Sequence, residues 1–541
     1  MVKQCVGIVC LMVIASLATL THAGDTPLLK NQNAKVYTLF FSLSEELSNK
    51  ILSELQSRCE GMEFLGTEII DSSAYSAKTD PEMTVNDEKS NLVLRKISNS
   101  KKGLDGLLLF FGGFSDKRFM LTGLPTIVVD CNPSKRQVGF KNAVAVGKKY
   151  GTKFITASYS TTGFSDDPSE FVPGDIPTPL GSDILAEKVK LFNAIKRMKN
   201  TKLLTIQDYD RMDPIGLKGW AAVNAPVDDF DKIYPRKLKE SLGVDIVIVR
   251  FKELIQEIAK AQGEEAEKIA DMWINEAEAV IGVKREDVIR SAQLYIAYKE
   301  LIKKYDADVI TMSTWALIPD GKIKAMGCLA EMELAKEHIP CCCESLINPL
   351  VTQIFVTYIT GRPGFVGDML GGFPPAVPAS EIPRNMMVIG HCYGPINPHG
   401  NDRVPYTIRN HAYYELGWDT TDPRRAWRTD AQVRANKQLR KEHITLVGIR
   451  VKWPIDEVVT VVKVNAYDKK IEIDTGRSID GNYVYKDFDN RVCRSKLALS
   501  LDKPFKRLRR DRWGCHRVVF YGDHRQKIKD LAALVGFELV E

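Results

Sequence analysis

The chain has 541 residues, of which 44% are hydrophobic and 27% charged, a composition typical of a soluble globular protein and not of a disordered or fibrous one. Its length exceeds what one hydrophobic core supports, so about two to four domains are expected. The formal net charge of +6 is spread over 75 basic and 69 acidic residues, which gives no indication of nucleic acid as a partner.

The N-terminal segment has the features of a secretory signal peptide. Lys3 provides a positive start, an apolar run extends from Val6 to Leu20, and small residues precede a cleavage site after Ala23. A membrane anchor is the alternative, but spanning a bilayer takes about 18 or more apolar residues and this run is shorter. We therefore predict a signal peptide at 1–23 and a secreted or periplasmic protein.

The cysteine count argues against a disulfide framework despite export. Removing Cys5 and Cys10 with the signal leaves nine of the 11 cysteines, and an odd number cannot all pair. Cys341, Cys342 and Cys343 are consecutive in an apolar stretch, where buried thiols are favoured over strained bonds between neighbours. We expect few or no structural disulfides.

The first part of the mature chain alternates between strand and helix patterns. Strands are predicted at 36–41, 106–111 and 125–130, and a helix at 44–58. This alternation predicts a doubly wound α/β domain over 24–176. Four prolines among acidic residues and glycines make 165–182 a linker or domain boundary.

A second α/β domain is predicted over 177–374, followed by a mostly β domain over 375–541. The second domain contains strands at 203–207, 244–249 and 308–312 and a helical region at 251–305. Alternating apolar residues then predict strands at 387–389, 444–451, 458–464 and 470–475. The last domain is expected to be barrel-like, with a closing helix at 526–535.

Two acids stand at the ends of a strand–helix–strand pattern between His338 and Gly372. Glu344 follows a predicted strand, at the end of the strand where open α/β sheets bind ligands. A helix of about 14 residues rises roughly 21 Å, and about six extended residues return roughly 20 Å, which brings Asp368 to the level of Glu344. The acids would repel unless protonated or bridged by a cation. The alternative interpretation is structural: each acid caps a helix or forms an ion pair with a basic residue on the surface.

Three strings in this region resemble the L-fucose and L-arabinose isomerase family. They are His338-Ile-Pro-Cys-Cys-Cys-Glu344, Thr360-Gly-Arg-Pro363 and Gly367-Asp368. The resemblance implies that Glu344 and Asp368 are metal ligands. Near the C-terminus, Arg512-Trp-Gly-Cys-His516 and Phe520-Tyr-Gly-Asp-His524 are similar to the end of the same family. This implies His516 as the third metal ligand, with His524 as the rival.

Other residues have less defined roles. His391, in Ile389-Gly-His-Cys392, matches a His-Cys element of the family and is interpreted as a substrate-pocket residue, or as a structural histidine. Trp315 follows a predicted strand and either binds a sugar face or belongs to the core. The arginine- and lysine-rich segment 397–441 is either a solvated insertion, or a pocket cover or a surface for acidic glycans.

The resemblance implies an aldose–ketose isomerase acting on a pentose or 6-deoxyhexose through an ene-diolate. Mn²⁺ or Mg²⁺ would polarise the carbonyl, while Glu344 and Asp368 transfer protons. A homo-oligomer, with a small sugar as its ligand, is also expected. The alternatives are a secreted carbohydrate-binding protein that has lost turnover, or a different metal-assisted reaction on a sugar acid or modified sugar.

Overall fold

The computed structural model describes residues 33–70, 88–113, 116–131, 138–159, 182–207, 227–312, 323–369, 378–411, 439, 441–484, 493–503 and 514–540. The predicted signal peptide at 1–23, Trp315 and most of the basic segment 397–441 lie outside these residues. The described part is a mixed α/β fold with parallel sheets flanked by helices and a closed antiparallel β-barrel near the C-terminus.

The first sheet contains five parallel strands in the order β2-β1-β3-β4-β5. Its strands are β1 (Ala34–Phe41), β2 (Met62–Ile70), β3 (Gly106–Phe111), β4 (Thr126–Asp130) and β5 (Phe154–Ser158), with helices α1 (Glu45–Arg58), α2 (Glu88–Ser100) and α3 (Val138–Lys149). Every residue of β3 is buried, as expected for a central parallel strand covered on both faces. The Ser44 hydroxyl accepts from the backbone N–H of Leu47 and caps α1. The predicted alternation of strands and helices is confirmed here.

The second sheet contains four parallel strands in the order β10-β9-β6-β7. They are β6 (Lys202–Ile206), β7 (Asp245–Val249), β9 (Val309–Met312) and β10 (Cys341–Cys343). The helices of this part are α4 (Ser182–Val189), α5 (Leu191–Lys199), α6 (Val227–Leu242), α7 (Phe251–Lys260), α8 (Glu264–Glu276), α9 (Arg285–Tyr305), α10 (Cys328–Lys336) and α11 (Ile347–Thr360). The helical region predicted at 251–305 is three helices, because residues 261–263 separate α7 from α8 and strand β8 (Ala279–Ile281) separates α8 from α9.

The barrel has six antiparallel strands, and it closes because β15 pairs with both β18 and β16. Its strands are β11 (Phe365–Met369), β12 (Met386–His391), β15 (Val458–Asn465), β16 (Lys470–Asp480), β17 (Ser495–Leu501) and β18 (His516–Tyr521). Strand β19 (Glu538–Val540) adds to β16, and helices α12 (Gly481–Val484) and α13 (Arg525–Val535) follow β16 and β18. Closure leaves no free edge within the ring of six strands.

Two further features complete the fold. Strand β8 joins β13 (Tyr406–Asn410) and β14 (Val447–Val451) in a three-stranded sheet. Strand β11 pairs with β12 and β18 of the barrel and not with the second sheet, although the sequence pattern placed it in the second α/β unit. Glu344 and Asp368 are therefore contributed by different sheets.

The described residues include nine cysteines, and none of these nine forms a disulfide. Cys341, Cys342 and Cys343 form β10 and are each buried. Among the helices that the structure describes, none has the length and apolar character needed to cross a bilayer.

Candidate metal centre

Glu344 stands where the chain turns from β10 into α11. Glu344 and Ser345 both have left-handed backbone conformations, with φ of 70° and 55°. Such conformations cost non-glycine residues of order 1–3 kcal/mol each and persist where the surroundings fix them. Here the Ser345 N–H donates to the Met312 carbonyl at 3.1 Å, and its hydroxyl accepts from Thr205 at 3.2 Å. The second sheet therefore holds Glu344 at the end of its strands.

The barrel supplies the other charged groups from its neighbouring strands. Asp368 on β11 lies directly opposite His516 on β18 and opposite Gly390 on β12. His391 is the last residue of β12. Since residues that face each other on adjacent strands project to the same side, Asp368 and His516 meet at one point.

The structure brings Glu344, Asp368 and His516 together. Nε2 of His516 lies 3.2 Å from Oδ1 of Asp368 and 3.4 Å from Oε2 of Glu344. Neither contact has hydrogen-bond geometry, so this buried nitrogen has no hydrogen-bond partner among the described residues. Its other ring nitrogen, Nδ1, lies 3.3 Å from Sγ of Cys515. A buried imidazole nitrogen that faces two carboxylates is suited to bind a metal ion. The ion would lie between the nitrogen and the carboxylate oxygens.

Electrostatics favour a cation at this point. Burial opposes protonation of His516, but Asp368 and the other groups around the ring, Cys515 and Glu344, together outweigh it, and the pKa of His516 stands well above its usual value. Without a metal ion, the imidazolium therefore offsets one of the two carboxylate charges. A divalent ion would replace that proton, because metal binding requires a neutral imidazole.

His391 lies on the other side of Glu344. Its Nε2 is 3.9 Å from Oε1 of Glu344 and 3.0 Å from Sγ of Cys343. Burial lowers the pKa of His391, so the ring is neutral at physiological pH and offers a lone pair. His391 therefore lies beside Glu344, and its role in a substrate pocket stays a prediction.

The candidate ligands form two groups and not one. Within each group, one ligand atom per residue lies within 4.8 Å of the others: Cys343, Glu344 and His391 in the first, and Asp368, Cys515 and His516 in the second. The three ligands inferred from the sequence span both groups, with His516 between the carboxylates. The sequence interpretation missed the two thiols. Each immediately precedes a predicted ligand, as Cys343-Glu344 and Cys515-His516, and that repetition was the available signal.

A third acid, Glu331 on α10, was also missed. Its side chain is buried, and neither carboxyl oxygen has a hydrogen-bond partner among the residues that the structure describes. Burial, reinforced by the charge of Glu344, raises the pKa of Glu331 to about 8. This side chain is therefore a neutral acid at pH 7. The sequence of Cys328–Lys336 contains no signal that separates Glu331 from an ordinary exposed carboxylate on a helix surface.

The rival histidine, His524, is placed away from these groups. Its Nε2 lies 2.8 Å from the Tyr521 carbonyl, and its backbone N–H donates to the Thr460 hydroxyl. It immediately precedes α13, past the end of β18 opposite to His516. Trp315, proposed as a sugar-binding residue, lies outside the described residues.

No protein-family model matches the chain, and no curated protein matches it. Among solved structures, the crystal structure of a glucose-galactose binding protein from Geobacillus stearothermophilus is similar over 54% of this chain and 83% of that chain. The two are 10% identical with a TM-score of 0.14, a likeness too low to carry an argument about fold or function.

Proposed function

We propose that the chain is a metal-dependent aldose–ketose isomerase that acts on a pentose or 6-deoxyhexose of the L-fucose or L-arabinose type. The observation that supports this most is the buried Nε2 of His516, which faces carboxylates from two different sheets and has no hydrogen-bond partner among the described residues. The resemblance of the surrounding strings to the sugar isomerase family supplies the reaction.

The residues divide into a buried and a more accessible part. The His516 side chain is 3% exposed, whereas those of Glu344 and Asp368 are 16% and 30% exposed. A substrate would therefore approach from the carboxylate side, with the imidazole behind. Glu344, Asp368 and His516 would hold Mn²⁺ or Mg²⁺. When bound, such an ion polarises a carbonyl and stabilises negative charge on the adjacent oxygens.

The proton transfers belong to the carboxylates. Isomerisation moves one proton between neighbouring carbons, and a carboxylate within reach of the first carbon removes it and returns it to the second. Asp368, the more exposed acid, has the better access to substrate, while Glu344 is held in place by the turn before α11. His391, neutral and buried beside Glu344, limits the positions that the Glu344 carboxylate adopts.

A non-catalytic carbohydrate-binding protein is the second candidate. It is favoured by the raised pKa of His516, because the imidazolium offsets one of the two carboxylate charges without an ion. Carboxylates held in this way can accept hydrogen bonds from sugar hydroxyls without an ion. In that case the chain would bind sugars but leave their carbon-bound protons in place.

The wider organisation is part of the same proposal. We propose two doubly wound α/β domains over 24–176 and 177–374 and a mainly β domain over 375–541. Strand β11, near the end of the second of these ranges, pairs with strands of the third. We further propose that the protein is exported by its N-terminal signal and assembles as a homo-oligomer.

A screen of aldoses in deuterium oxide tests the activity. Pentoses and 6-deoxyhexoses are incubated with the protein and Mn²⁺, and both ketose formation and deuterium uptake next to the carbonyl are measured. We expect both signals with at least one sugar, and neither after chelation of the metal. Saturable sugar binding without deuterium uptake would favour the carbohydrate-binding alternative and reject the isomerase.

A further inference from the structure

Cys343, Glu344 and His391 form a compact set of ligand atoms that the isomerase proposal does not use as a unit. One ligand atom from each residue lies within 4.8 Å of the other two. Cys343 and His391 are each 6% exposed, so the set is enclosed by protein. A thiol, a carboxylate and a neutral imidazole are together the donor types that zinc sites use.

The two oxygens of Glu344 face different histidines. Oε1 lies 3.9 Å from Nε2 of His391, while Oε2 lies 3.4 Å from Nε2 of His516. The two imidazole rings are 6.4 Å apart between centroids. A carboxylate with one oxygen directed to each of two sets of ligands is arranged to bridge two ions, which in two-metal sites stand about 3.5–4 Å apart.

We infer that Cys343, Glu344 and His391 bind a second divalent cation of the thiolate-seeking class represented by Zn²⁺, and that Glu344 bridges it to the ion held with Asp368 and His516. The inference rests on the proposed function only for that first ion, and it does not require turnover. The second ion would fix the orientation of Glu344 and leave Asp368, the more exposed of the two acids, to contact substrate.

Binding would be an exchange of a proton for a metal ion. The Cys343 thiol gives up its proton to solvent, a sulfur–metal bond forms, and no atom changes oxidation state. With metal–sulfur and metal–nitrogen bonds of about 2.3 Å and 2.0–2.1 Å, a tetrahedral ion holds these ligand atoms roughly 3.5 Å apart. Sγ of Cys343 and Nε2 of His391 are now 3.0 Å apart, so the side chains need to separate by only about half an ångström.

A hydrogen bond alone also accounts for the contact between Cys343 and His391. The two explanations differ in what the full chain binds. A hydrogen-bonded pair needs no ion, so the chain would take up one divalent cation at most. The bridged arrangement predicts two, of which one has a sulfur ligand.

The test is metal loading of the full chain after removal of all metals. With Co²⁺ as the probe, we expect two ions per chain and a thiolate-to-cobalt charge-transfer band in the near ultraviolet. Cys343→Ser should remove the band and reduce uptake to one ion per chain. Asp368→Asn should lower the affinity for the first ion and retain the charge-transfer band.

Two cysteine variants serve as matched controls. Cys342 is the preceding residue of β10, and its Sγ contacts the Leu346 carbonyl at 3.4 Å. Cys515 belongs to the group around His516. Both Cys342→Ser and Cys515→Ser should retain the charge-transfer band. Its loss in Cys515→Ser together with its survival in Cys343→Ser would overturn the inference.

The wild-type chain provides a measurement that does not depend on a variant that folds. X-ray absorption at the zinc edge should detect a sulfur neighbour at about 2.3 Å in the zinc-loaded protein. One ion per chain, or zinc with only oxygen and nitrogen neighbours, overturns the inference. Two ions in a chain that isomerises no sugar would uphold this inference and reject the isomerase, and one ion in an active isomerase would do the reverse.

Discussion

Both parallel sheets have an acid at the end of a strand, but the two acids have different surroundings. Asp130 is the last residue of β4 in the first sheet and lies opposite Ser158 of β5. Glu344 follows β10 in the second sheet and meets His391 and His516 of the barrel. Asp130 belongs to neither candidate metal group of the described residues. A strand-end acid thus becomes part of a candidate site where a second sheet brings histidines to the same point.

The largest expected effect is on turnover. Glu344→Gln and Asp368→Asn each keep the shape of the side chain but remove the charge that holds an ion and the group that accepts a proton. Loss of general acid–base catalysis alone costs about 10²–10⁴-fold, and loss of the metal adds to it. Rates of ketose formation with Mn²⁺ measure the effect.

The matched control for those variants is Asp130→Asn, the same kind of change at the strand end of the first sheet. We expect it to retain the wild-type rate. Equal losses of rate in Asp130→Asn and Asp368→Asn, in chains with normal circular dichroism, would show that the loss does not depend on an ion shared by Glu344 and Asp368.

The sequence predicts part of this difference between the two sheets. Continuous apolar runs such as 106–111 indicate buried strands, and the strand–helix–strand pattern together with the family resemblance indicates Glu344 and Asp368. The sheet to which β11 belongs could not be predicted, because a short apolar strand does not specify its partners. Barrel closure depends on the same long-range pairing.

The second prediction concerns the buried acid near Glu344. Glu331 stays protonated in the folded protein up to pH about 8 but ionises near 4.5 when unfolded. Between these values the folded state binds more protons, so the free energy of unfolding decreases as pH rises and then levels off. Glu331→Gln should remove this slope, which amounts to on the order of 4 kcal/mol.

Urea unfolding of wild type and Glu331→Gln between pH 4.5 and 8.5 measures that slope. The change in the free energy of unfolding with pH is the informative quantity. Burial of the glutamine amide also lowers that free energy, but by an amount that does not vary with pH. Parallel curves for the two proteins would contradict the assignment of a raised pKa to Glu331.

The third prediction is a smaller, metal-dependent effect on stability. An ion that binds only the folded state stabilises it by about 2.7 kcal/mol at one hundred times its dissociation constant. Mn²⁺ should therefore raise the melting temperature of wild type and of Asp130→Asn, but not of Asp368→Asn. An equal rise in all three proteins would place the ion elsewhere in the chain.

The smallest effect is expected at His524, which lies three residues past the end of β18, the strand that begins with His516. The six residues of β18 span about 17 Å between its first and last positions, which separates the two histidines by more than the reach of one ion's ligands. His524 contacts the Tyr521 carbonyl, and its neutral ring is maintained by burial, which lowers its pKa. His524→Asn should leave Mn²⁺ affinity within about twofold of wild type, whereas His516→Asn should weaken it by about 10-fold or more. Titration of both variants with Mn²⁺, followed by electron paramagnetic resonance of the free ion, measures the difference. A weaker affinity for Mn²⁺ in His524→Asn than in His516→Asn would show that His524, and not His516, is the third metal ligand.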